Sequence, residues 1–113
     1  MMSREDDEQF KQWTRAVKCR DNYSCQICGA NGGGVYLEAH HKNSWNAFPD
    51  ERYLLSNGAS LCRTCHIRFH DAYGYGNNTE FQYKQYEDTA ELLKKVAQMN
   101  AEKDGGSRGP TGE

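Results

Sequence analysis

Two Cys-x-x-Cys pairs, Cys25/Cys28 and Cys62/Cys65, constrain this chain more than any other feature. With 113 residues, 36% of them hydrophobic, and a mean hydropathy of −1.00, the chain has room for one domain with a small core, which calls for a covalent or metal staple. The N-terminus is acidic where a secretory leader is basic and then apolar, and no run of 18 apolar residues occurs. The expected setting is therefore soluble and cytoplasmic, with no membrane association, and paired cysteines in a reducing compartment hold metal rather than form disulfides. Four thiolates close a tetrahedral structural Zn²⁺ site and leave no open position for chemistry. Cys19 is left over.

The segments around the clamp have readable periods. Phe10, Trp13, Ala16/Val17 and Arg20 recur at spacings of three and four, which predicts a helix over residues 8–20. Val35 to His41 alternates as a strand, residues 42–58 are mostly loop, and Ala59-Ser60-Leu61 forms a second, paired strand. A helix from Arg63 to about Tyr73 carries His66 and His70 at i, i+4 on one face. Thr79 and Gln82 form a capping box that opens a last helix, from about Glu80 to Asn100, with Phe81, Tyr86, Ala90, Leu93 and Ala97 as its inner face. The expected organisation is an acidic, flexible N-terminus (1–7), a single α+β domain with flanking helices (8–102) and a disordered tail (103–113).

All four histidines, His40, His41, His66 and His70, lie within or directly beside the zinc unit. Imidazoles bind divalent metals and act as general bases near neutral pH, so the zinc is expected to position them. The net charge of −2 hides an asymmetry: residues 11–70 carry eight Lys/Arg against four acids, while both flanks are acidic. A polyanion should therefore meet the middle of the chain, with the acidic ends facing away.

The order His40-His41, Asn57, His66 and His70, threaded through the two cysteine pairs, resembles the HNH endonuclease family. Arg20-Asp21-Asn22-Tyr23-Ser24-Cys25-Gln26-Ile27-Cys28-Gly29 and Cys62-Arg63-Thr64-Cys65-His66 are similar to its zinc-stapled branch. Phe69-His70, Tyr73-Gly74 and Asn77-Asn78-Thr79 are similar to small bacteriophage members, which implies a bacterial host cell. The resemblance implies a ββα-metal core in which His40 and His66 hold a catalytic divalent ion (Mg²⁺, Mn²⁺, Ni²⁺ or Zn²⁺). In the family pattern His41 matches the general base and Asn57 the asparagine that braces the inter-strand loop. His70 matches a position that completes the metal site in some members and touches phosphate in others. The implied activity is DNA hydrolysis by an endonuclease or nickase with one metal, leaving 5′-phosphate and 3′-hydroxyl ends. Arg63, Arg68 and Lys42 are the candidate phosphate contacts. The competing readings are a non-catalytic zinc-stabilised DNA-binding module and an accessory to a phage packaging protein.

Overall fold

In the computed structural model, which describes residues 4–105, the chain begins with a short 3-10 turn, Arg4–Asp6, leading into α1 (Glu8–Arg20). Asp7 caps α1, its carboxylate accepting from the Gln9 N–H at 2.8 Å and from the Tyr53 hydroxyl. Of the expected inward stripe, Trp13 and Val17 are buried, Phe10 is half-buried and Ala16 is exposed.

A two-stranded antiparallel sheet forms the centre. β1 (Leu37–His41) pairs with β2 (Gly58–Cys62) in a register that sets Leu37 against Cys62 and His41 against Gly58. α1 covers one face of the sheet. Gly58 makes that approach possible, because a Cβ there would strike Val17 and Trp13. α2 (Arg63–Tyr73) covers the other face, burying Cys65 and Phe69 against Ala59 and Leu61.

Arg20 and Asp21 tie the end of α1 to the sheet. The guanidinium donates to the carbonyls of Leu55 and Gly58 at 2.8 and 2.7 Å, and Asp21 accepts from the Ser60 N–H at 2.8 Å. Asn22 and Tyr23 then turn through positive φ and deliver the chain to Cys25.

α3 (Glu80–Gly105) opens on the expected capping box: the Thr79 hydroxyl accepts from the Gln82 N–H, and the Gln82 side chain accepts from the Thr79 N–H. Its inner face differs from expectation. Tyr83, Tyr86 and Ala90 pack on the core, whereas Phe81 is 69% exposed and Leu93 is 63% exposed. The cap makes Phe81 the second helical residue, two positions and so about 200° of helical turn from Tyr83. Leu93 and Ala97 follow the correct stripe but stay exposed, lining an open apolar groove with Ile27, Cys28 and Cys65 rather than packing into the core. The helix runs to Gly105, past the expected end at Asn100, and the remainder of the expected tail, residues 106–113, lies outside the described residues, as do residues 1–3.

Candidate functional site

The two cysteine pairs converge. Cys25, Cys28, Cys62 and Cys65 bring their sulfurs within 4.8 Å of one another, a donor set that could hold a zinc ion. Both arms have the same local build. The Cys28 N–H donates to Cys25 Sγ, and the Cys65 N–H donates to Cys62 Sγ, each at 3.5 Å; the second of these bonds also caps α2. Burial opposes ionisation of Cys25, but the backbone N–H groups aimed at its sulfur outweigh it and bring the thiol down to about 7. Burial and the neighbouring thiols push Cys65 up. Sulfurs packed this closely shed their protons when a cation binds between them.

The histidines form a second cluster on the other side of α2's first turn. Successive side chains of a strand point to opposite faces, so β1 turns Glu38 and His40 toward α2 and His41 toward α1. His66 and His70, one helical turn apart, complete a triad with His40. The Nε2 atoms of His66 and His70 lie 3.1 Å apart, and His40 Nδ1 is 3.2 Å from His66 Nε2. The far nitrogens fix the tautomers. His66 Nδ1 donates to Glu38 Oε1 at 2.6 Å and His70 Nδ1 donates to the Gly74 carbonyl at 2.9 Å, so in the neutral rings that bind metal both Nε2 atoms present lone pairs to each other. Facing lone pairs at that distance repel unless a cation lies between them. The donor set and its orientation therefore fit a divalent metal. His40, 3% exposed, is held neutral by burial first and then by the neighbouring imidazoles, as a metal ligand requires.

His41 lies apart from the triad, stacked on Trp13 with ring centroids 4.0 Å apart and planes 14° from parallel. Its Nε2 donates to the Arg52 carbonyl at 2.9 Å, which leaves Nδ1 as an acceptor. Burial, opposed by that carbonyl and helped by the positive charges of Arg4 and Arg52, holds the imidazole down to about 4. His41 is therefore unprotonated throughout the neutral range, with its Nδ1 lone pair available as an acceptor.

Asn57 explains why the Arg52 carbonyl is where it is. The side chain of Asn57 donates to the carbonyls of Asn43 and Glu51, at 2.9 and 3.2 Å, and accepts from the Asn43 N–H at 2.8 Å, stitching the two ends of the inter-strand loop together. Asn57 is 3% exposed and acts through the loop, with Glu51 adjoining Arg52. His40, His41, His66 and His70 all line one cleft of ≈ 200 Å³.

None of the expected phosphate contacts is among the described residues lining that cleft, although the charge of Lys42 reaches His40. Arg63 is exposed on the first turn of α2, and Lys42 sits over the Tyr83 ring at 5.4 Å. Arg68 is two positions from both His66 and His70, about 200° around the helix, and lines an apolar groove between α2 and α3.

Glu38 went unrecognised in the sequence. Its signal was available, because i, i+2 on a strand places it on the same face as His40. A carboxylate on the outer nitrogen of a ligating histidine fixes the ring and raises its basicity, and removing such partners costs roughly 10–100-fold in metal affinity. Glu38→Ala is expected to show a loss of that size in calorimetric titration of the histidine site, with the cysteine site unaffected.

Residues 25–72 match the family model for HNH endonuclease. Neither the curated proteins nor the solved structures returned a match.

Proposed function

Because residues 25–72 match the HNH endonuclease family model, we propose that the chain hydrolyses DNA phosphodiester bonds as a metal-dependent endonuclease or nickase. The observation that carries this reading is the pair of opposed lone pairs on His66 and His70, with His40 beside them and a neutral, acceptor-ready His41 in the same cleft. His40, His66 and His70 would hold one divalent ion, which when bound supplies positive charge to the phosphoryl group and to the departing 3′ oxygen. A set of three imidazoles suits Zn²⁺, Ni²⁺ or other transition ions better than Mg²⁺, which prefers carboxylate and water oxygens.

The remaining work falls to the chain's own groups. His41 takes the proton of the attacking water at Nδ1, and the Arg52 carbonyl, accepting from Nε2–H, steadies the imidazolium that results. Asn57 keeps that carbonyl in place, and Trp13 keeps the ring from rotating. Glu38 aims His66. The cysteine cluster, loaded with structural zinc, fixes α2 and with it His66 and His70.

The test is incubation of supercoiled plasmid with the protein and Zn²⁺, Ni²⁺, Mn²⁺ or Mg²⁺. Conversion to nicked or linear DNA is expected with at least one of these ions and not in EDTA. A protein that binds the metal in its histidine site yet leaves plasmid intact with every ion would return the reading to a non-catalytic zinc-stabilised module.

A further inference from the structure

We propose that Arg4 is the group that receives a substrate phosphate in the histidine cleft. The inference rests on the phosphodiesterase reading above and adds to it a cationic side chain in the lining of the cleft. Among the described residues lining the cleft, Arg4 is the only lysine or arginine.

Its placement is organised. The guanidinium lies over the Trp45 ring at 4.6 Å and nearer the edge of contact with Phe10 at 5.9 Å. A guanidinium resting on an aromatic face keeps its N–H donors in plane and pointing outward, the geometry that bidentate phosphate recognition uses.

The platform is itself held. Trp45 meets Phe10, His41 and Tyr53 edge to face, and the Tyr53 hydroxyl bonds Asp7, three residues beyond Arg4. The Arg52 guanidinium covers Trp45 at 4.4 Å and donates through Nε to the Trp45 carbonyl at 2.7 Å. The 3-10 turn at Arg4–Asp6 and the Asp7 cap thus bring a cation from the acidic end of the chain to the rim of the cleft. Charge counted along the sequence assigned that end to the side away from DNA; the fold gives it a place at the site.

The experiment uses the full, zinc-loaded chain and measures binding of a short labelled DNA duplex by fluorescence anisotropy across a salt series without a catalytic metal, followed by steady-state cleavage with one. Arg4 is exposed and its guanidinium rests on the faces of Trp45 and Phe10, so Arg4→Gln should keep its fold and zinc content. Loss of one phosphate contact is expected to weaken binding several-fold and to reduce the slope of log K against log salt by about 0.9. In cleavage KM should rise more than kcat falls, with metal affinity of the histidine site unchanged. Arg4→Lys, which retains the charge, should keep the wild-type salt slope. An unchanged slope and affinity in Arg4→Gln, in a wild type that binds and cuts DNA, would overturn the assignment of Arg4 alone. A slope lost equally in Arg4→Lys would show that charge is not what acts, and would overturn it as well. A wild type that neither binds nor cuts DNA would remove the functional reading and this inference with it.

Discussion

A Cys62→Ser protein is expected to be unfolded and to carry less than one zinc per chain. Cys62 ends β2, caps α2 through its sulfur and lies 3.8 Å from Cys28 across the clamp, so one substitution removes a ligand, a helix cap and the link between the two arms. Structural zinc in small domains contributes an apparent folding free energy of about 10–16 kcal/mol at neutral pH. Whole domains have net stabilities of only about 5–15 kcal/mol, so loss of the site leaves no folded state to measure. Far-UV circular dichroism together with metal analysis of the purified protein checks this, with Cys19→Ser as the control. Cys19 is exposed and outside the cluster, and its replacement should change neither readout. A folded, zinc-loaded Cys62→Ser protein would show that the cysteines do not hold the fold through metal.

The second large effect is expected at His41. Removing a general base typically costs about 10²–10⁴-fold in rate, and His41→Ala should lose plasmid cleavage to that degree. Both metal sites should survive the change, because β1 points His41 at Trp13 and away from the triad that His40 joins. Metal titration of both sites and circular dichroism, beside a cleavage time course, separate a lost proton acceptor from a lost fold. Undiminished cleavage by a folded His41→Ala protein would transfer the role of base to another group.

Much of this site is legible in the sequence where ligand and periodicity are local. Cys-x-x-Cys spacing is a property of one knuckle, i, i+4 histidines are a property of one helical turn, and the Thr79–Gln82 capping box depends on four consecutive residues. The α2 boundaries at Arg63 and Tyr73 follow for the same reason: the Cys62 cap opens the helix and Gly74, at φ 80°, closes it. What could not be read depends on distance along the chain. Arg4 reaches Trp45 across some forty residues, and the Arg52 carbonyl meets His41 only because Asn57 closes the loop between the strands. The inner face of α3 failed for a further reason. Helical period identifies a stripe but not how tightly the neighbouring body closes on it, so Leu93 is on the correct side of the helix yet 63% exposed, over an open groove.

Cys62 and Cys65 belong to one candidate metal site, His66 and His70 to the other, and all four lie within nine consecutive residues. The azimuth of α2 is therefore shared: whatever fixes the rotation of the helix at the cysteines also fixes the direction in which the imidazoles point. One residue inserted between Cys65 and His66 would leave every donor present and turn both imidazoles by about 100°, out of the cleft. The inter-strand loop answers to a different constraint: Asn57 fastens its ends, and Trp45 and the Arg52 carbonyl must still be delivered to Arg4 and His41 from within it. Length between the strands can then vary only where Trp45, Glu51 and Arg52 keep their places, while the count from Cys62 to His70 stays fixed.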